Sequence, residues 1–206
     1  MKLHIAPRAP NPRRVQMFMA EKGITDIELV KVDLNAQQHR TPEFRALSPF
    51  SKVPTLVLDD GRALSESRAI CTYLEGLHPE PNLMGRNAEE RAFIEMTDRQ
   101  CELYLMNSIA TWIRHCHPGL AVLEGQQFTD YGNKQGEKAR ELAAWFDTHV
   151  ARQEWMAGSR FSIADITAFC GLEFARGLMK FKLDEAGLTH LQAWRDRVAA
   201  RPSAAQ

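Results

Sequence analysis

The sequence predicts an α/β first half in βαβ-ββα order followed by an all-helical second half, and three observations support this. Short β-branched or apolar runs at 2–6 (KLHIA), at 27–32 (IELVKV) and within PTLVLDDGRAL are confined to the first third of the chain. Beyond residue 87 the apolar residues recur at helical spacing instead. Between these regions lies HPEPNLMGRN, residues 78–87, whose prolines, glycine and weak periodicity read as a linker. The expected domains are therefore 1–77 and 88–206.

Each element has its own signal. Val15, Phe18 and Met19 share a helical face that Gly23 terminates, so the first two strands flank a helix. Asn11 precedes Pro12, a favoured first helical residue, and is expected to be the N-cap. A short helix is expected over about 42–47, and a hairpin turning at Asp60-Gly61. Ile70, Tyr73, Leu74 and Leu77 mark a helix face that ends before His78-Pro79. In the second half, a long helical pattern over about 88–116 breaks at Pro118-Gly119, and 137–153 carries Ala139, Leu142, Ala143, Phe146 and Val150 on one stripe. Ser162 and Asp165 form a capping-box pattern, with Phe161 and Ile166 placed as a hydrophobic staple. A last helix covers about 189–200 and stops at Arg201-Pro202.

Composition excludes several function classes. With 26 Lys and Arg against 26 Asp and Glu, no net field draws in nucleic acid or anionic lipid. No apolar run approaches a membrane span, and MKLHIAPRAP lacks a signal-peptide core, so a cytoplasmic protein without membrane partners is expected. Cys71, Cys101, Cys116 and Cys170 lie far apart and read as reduced, mostly core thiols, with no metal cluster.

The stretch FSKVPTLVLDDGRALSESRAI, residues 50–70, carries the chemistry. Pro54 cannot donate to a ladder and must sit at an edge or a strand start. If its peptide is cis, the main chain of Val53 faces outward, where an extended peptide-like ligand can pair with it. Ser65-Glu66-Ser67 opens the next helix and admits two readings. In one, Ser65 caps the helix and Glu66 complements its dipole. In the other, the free hydroxyl and amides hold a carboxylate while Glu66 faces an ammonium, so the pair reads an amino-acid head group.

In combination, V-P-x-L, the D-D-G hairpin and E-S-x-A-I at a helix start resemble the glutathione transferase superfamily, as do PNPRRVQMFMAEKGI, HRTPEFRALSPFSKVPTL and FSIADIT. The resemblance covers essentially the whole chain and implies a thioredoxin-like first domain with a helical bundle as the second. It also implies glutathione as substrate, conjugated to a small hydrophobic electrophile, no metal, and a homodimer. By that resemblance Val53 and Pro54 serve the cysteinyl backbone, Glu66 and Ser67 the γ-glutamyl head, and His39 and Lys52 the glycine carboxylate. Glutathione-dependent disulfide or peroxide reduction, and glutathione binding without catalysis, are the alternatives.

Most classes of that family activate the thiol with a Tyr, Ser or Cys near the first helix. Here the first serine is Ser48, the first cysteine Cys71 and the first tyrosine Tyr73, and Ala9 stands where related classes align a serine. Lowering a thiol by two pKa units from about 8.5 takes about 2.7 kcal/mol. A helix dipole contributes only about 0.3–1 kcal/mol, whereas a hydrogen bond to a charged group contributes about 1.5–3. Asn11 is therefore the first candidate donor, with Arg8, Arg13 or a bound water as substitutes. HPGL and MAGSRFSIADIT resemble an atypical fungal branch of the family whose thiol is activated by an ordered water, and the chain is read as a bacterial member similar to it. That points to His115 and Thr111, one helical turn apart, although Ala110 stands where that branch carries a serine. Thr111 and Trp112 are the candidate electrophile-pocket residues, with Met106 and Phe174 as further lining candidates.

Overall fold

Leu3 is fully buried on the strand that the others flank, paired with Leu29 on one side and Leu56 on the other. The computed structural model describes all of residues 1–206 and divides them into two units, Met1–Asn82 with Gln206, and Leu83–Ala205. In the first unit, β1 (Lys2–Ile5), β2 (Glu28–Lys31), β3 (Thr55–Val57) and β4 (Ala63–Ser65) form one sheet in the order β2-β1-β3-β4. β1 pairs parallel to β2 and antiparallel to β3, which forms a hairpin with β4. The turn closes through Gly61 N–H to Leu58 O, and Gly61 takes the φ of +85° that this bend requires.

Helices α1 (Pro10–Glu21), α2 (Pro42–Leu47) and α3 (Ser67–Leu77) complete the unit. α1 buries Val15, Met17, Phe18 and Met19, and Ile24 closes its end by donating to Met19 O. α3 buries Ser67, Ile70, Cys71 and Leu74. The expected stripe is thus corrected at its edge, since Tyr73 is only partly covered and Leu77 is about half exposed. The Lys22 ammonium is buried, donating to His78 O (2.7 Å) and Pro81 O (2.9 Å) and paired with Glu75 at 2.6 Å, so it is matched on three sides.

The second unit holds no strand. α4 (Ala88–Gln100) and α5 (Asn107–Cys116) are joined through a π-helical stretch, Cys101–Met106, so the long pattern is one continuous rod with a widened middle. The short α6 (Ala121–Glu124) leads to α7 (Thr129–Val150), which starts eight residues before the expected 137 because Gly132 and Gly136, not an apolar stripe, form its buried face there. α8 (Ile163–Phe174) is buried from Ile163 through Leu172, the pattern of a helix at the centre of a bundle. α9 (Thr189–Ala199) packs chiefly on α7 and reaches the start of α8 through Trp194. No helix is long and apolar enough to cross a membrane. All four cysteines are free thiols, three of them buried.

α8 begins at a fully buried carboxylate. Asp165 closes the capping box by accepting from Ser162 N–H (2.9 Å), and also accepts from Met156 N–H (2.8 Å) and Trp194 Nε1–H (2.8 Å). Burial pushes its carboxyl up to about 6 even with these donors pulling down. A raised carboxyl contributes most while protonated, so this group's contribution declines as pH rises through about 6. Asp165→Ala strands three buried donors, each costing about 1–3 kcal/mol, and is expected to destabilise the chain by about 3 kcal/mol or more in urea unfolding. A loss under 1 kcal/mol contradicts this.

Glu90 has the opposite shift. The Arg160 guanidinium, then the Arg86 N–H, hold its carboxyl down at about 2. The contribution of that interaction is therefore present above about pH 4.5 and lost as pH falls through about 2. The stability difference between wild type and Glu90→Gln should be flat from pH 5 to 8 and vanish towards pH 2. A difference unchanged at pH 2 contradicts the assignment.

Candidate functional site

The pairing of Thr55 with Ser65 places the start of β3 beside the end of β4, and so brings Val53-Pro54 next to Glu66-Ser67. The Val53-Pro54 peptide is cis. Behind it, Ser48 locks both peptide groups of Lys52, its hydroxyl donating to Lys52 O (3.0 Å) and accepting from Lys52 N–H (3.1 Å). Thr55 Oγ1 donates to the same carbonyl at 3.0 Å. The N–H and C=O of Val53 have no partner within the protein. This loop thus presents one unpaired main-chain edge.

Glu66 is the N-cap of α3, at φ 67° and ψ 112°, and its side chain makes no capping bond. This corrects the capping reading of Ser65, which closes β4 instead. A non-glycine residue held in this region costs about 1–3 kcal/mol, and such strain concentrates where a fixed geometry is used. Its carboxylate is exposed while Ser67 beside it is buried. The Ser67 oxygen accepts from Arg14 Nη1 at 3.1 Å. Sequence reading passed over Arg14, which is fully buried. Its signal was there, since Arg14 lies one helical turn before Phe18, on the apolar face of α1.

His39 lies on a single 3₁₀ turn, Gln38–Arg40, and is buried with Nδ1 unpartnered. Burial, then the cations of Arg40 and Lys52, hold its imidazole below the usual range. Lys52 itself is exposed.

The start of α1 departs from expectation. Its N-cap is Ala9, which offers no side-chain oxygen, and Asn11 lies inside the first turn because Pro10 already occupies the first helical position. Ala9 N–H donates to Ala6 O and Arg13 N–H to Ala9 O, while Pro10 and Pro12 have no N–H. Asn11 therefore holds the one free amide of the helix start. Its side chain is exposed and makes no internal hydrogen bond. Arg8 is exposed at φ 66°, and Arg13 Nε donates to Gln206 O at 2.9 Å.

In the second unit, His115 Nδ1 accepts from Phe128 N–H at 3.3 Å, and its ring meets Phe128 and Tyr131 edge-on. An accepting Nδ1 puts the neutral ring's hydrogen on Nε2, which makes Nε2 a donor and not a base. Thr111 is partly exposed on the same helix. Met106 is buried against Gly171, which is a core position and not an open lining one. Trp112 lies where a Cβ on Gly136 would meet its Cδ1 at 2.5 Å.

Two family models match this architecture: the N-terminal domain of glutathione S-transferase over residues 9–77, and its C-terminal domain over 111–202. The chain belongs to the glutathione S-transferase family. Glutathione S-transferase 2 of Saccharomyces cerevisiae is 35% identical over 98% of this chain and 87% of its own. The crystal structure of Gtt2 from the same yeast superposes with a TM-score of 0.93 at 35% identity, covering 98% of each chain. A glutathione S-transferase domain-containing protein from Marinobacter aquaeolei is 43% identical, with a TM-score of 0.89 over 98% of this chain and 99% of that one. The first unit is the thioredoxin-like domain of this family and the second its helical domain, as the motifs implied.

The α5–α7 contact depends on Gly136. Alanine there gains up to about 1 kcal/mol of helix propensity, but its methyl has to displace the rigid Trp112 ring, and overpacking of that kind costs about 1–3 kcal/mol. Gly136→Ala should therefore be a net loss of about 1 kcal/mol, with a shift in tryptophan emission. A stabilised variant with unchanged emission contradicts this contact.

Proposed function

We propose that this chain is a glutathione transferase that binds glutathione along Val53 and at Glu66 and Ser67, stabilises its thiolate and conjugates it to an apolar electrophile. The observation that carries the reading is the side-by-side placement of an unpaired Val53 main chain and the Glu66-Ser67 helix start. An extended tripeptide pairs with the first, and its zwitterionic head matches the second. His39 and Lys52 take the far carboxylate, whose charge offsets the desolvation of the imidazole.

For the thiolate, Asn11 offers a backbone N–H and a side-chain amide. Two hydrogen bonds to a charged sulfur reach the 2.7 kcal/mol that two pKa units require, at about 1.5–3 kcal/mol each. His115, by its tautomer, serves as a hydrogen-bond donor to a bound water or to the electrophile, together with Thr111. The lack of Tyr, Ser or Cys before residue 48 favours one second reading, glutathione-dependent disulfide reduction, in which the protein need not ionise the thiol itself. A homodimer is supported by the exposed Phe93, Met96, Leu103 and Tyr104 along α4 and the π-helical stretch, which a second copy covers. Met96→Glu should shift sedimentation towards a monomer.

Turnover of glutathione with 1-chloro-2,4-dinitrobenzene, against reduction of a mixed disulfide, separates the two enzymes, and binding without either leaves a carrier. Ser67→Ala removes a donor to a carboxylate and should weaken glutathione binding by about 1.5–3 kcal/mol in calorimetry. An unchanged Kd would sink the head-group assignment. Asn11→Ala should raise the pKa of the bound thiol by about one unit, read from thiolate ultraviolet absorbance. Because Asn11 is not the cap, stability should stay within about 0.5 kcal/mol of wild type. A titration unmoved by this change excludes the Asn11 side-chain amide as a donor, since the substitution leaves the backbone N–H in place.

A further inference from the structure

The geometry points to Arg14 as the positioning residue that sets which way the Ser67 hydroxyl points, and thereby makes it a donor to the ligand's α-carboxylate. This rests on the proposed glutathione binding and deepens it. Arg14 is fully buried in α1, an unusual place for a guanidinium, and its Nη1 meets Ser67 Oγ at 3.1 Å at the first residue of α3. A guanidinium only donates, so the Ser67 oxygen must accept there. The single hydroxyl hydrogen is then turned away from Arg14, and no acceptor within the protein takes it. Buried donors are normally satisfied, so a hydroxyl that is almost fully enclosed and whose hydrogen is unspent is set for an acceptor that arrives with a ligand. Withdrawal of the oxygen lone pair by a cation also strengthens the O–H as a donor, as bonds in a polarised chain reinforce one another. A merely structural Arg14 would tie α1 to α3 and leave ligand chemistry unaffected.

The test compares wild type, Arg14→Met, Arg14→Gln, Ser67→Ala and the doubles with Ser67→Ala, each checked for folding by circular dichroism and urea unfolding. The probes are glutathione and 4-aminobutyryl-cysteinyl-glycine, which lacks only the α-carboxylate. Expected is a roughly tenfold loss of glutathione affinity in a folded Arg14 variant, appearing in KM more than in kcat. No loss is expected with the decarboxylated analogue, and none beyond that of Ser67→Ala in the doubles. Equal losses for both probes, additive doubles, or unchanged affinity in a folded variant overturn the proposal. A Ser67→Ala protein that binds glutathione as well as wild type overturns the head-group reading itself, and this proposal with it. A crystal structure of wild type with glutathione needs no substitution. Arg14 Nη1 must stay on Ser67 Oγ while that oxygen lies within hydrogen-bond reach of the carboxylate, and a guanidinium swung onto the ligand instead overturns the positioning role.

Discussion

The antiparallel register between Thr55 and Ser65 is the constraint on which the first unit's candidate site depends. It is fixed by the fully buried Leu56, paired with Leu3 on one side and Leu64 on the other. A slip by one residue would send Leu56 to the opposite face and separate Val53 from Ser67, so the same apolar contact specifies both the core and the site. The strained backbone of Glu66 sits where this register hands the chain from strand to helix, and the rigid sheet sustains it.

In the second unit a comparable role falls to Asp165. One carboxylate gathers the loop at Met156, the start of α8 and the indole of α9. Its burial is unfavourable by itself, which the raised pKa expresses, and is offset by several directed hydrogen bonds. Such a group adds specificity of arrangement more than net stability, because the donors it serves would otherwise be unsatisfied in a dry interior.

Much of this was legible in the sequence, and what escaped has physical causes. Strands, the Asp60-Gly61 turn and the Ser162–Asp165 box rely on local patterns, which a linear reading can see. The start of α7 escaped because glycines form its buried face, close-packed against Trp112 and Cys116, and a glycine carries no apolar signal. The capping role expected of Asn11 went to Ala9 because Pro10 and Pro12 both fit a first turn and the earlier one begins it. Arg14 was passed over since a charge suggests a solvated face, and only tertiary burial reverses that. That Glu66 and not Ser65 is the N-cap of α3 depends on backbone angles that no spacing reveals.

The proline pair at the head of α1 has a consequence for discrimination. An ordinary helix start offers several amides together and suits multi-oxygen anions such as phosphate or sulfate. Here two imino acids and two internal bonds leave a single amide, at Asn11. A polyatomic oxyanion would find most of its lone pairs unanswered, whereas a lone sulfur anion needs only a few donors on one atom. Sparseness at this terminus therefore suits the proposed thiolate, a compact and softly solvated charge, better than a phosphate ester.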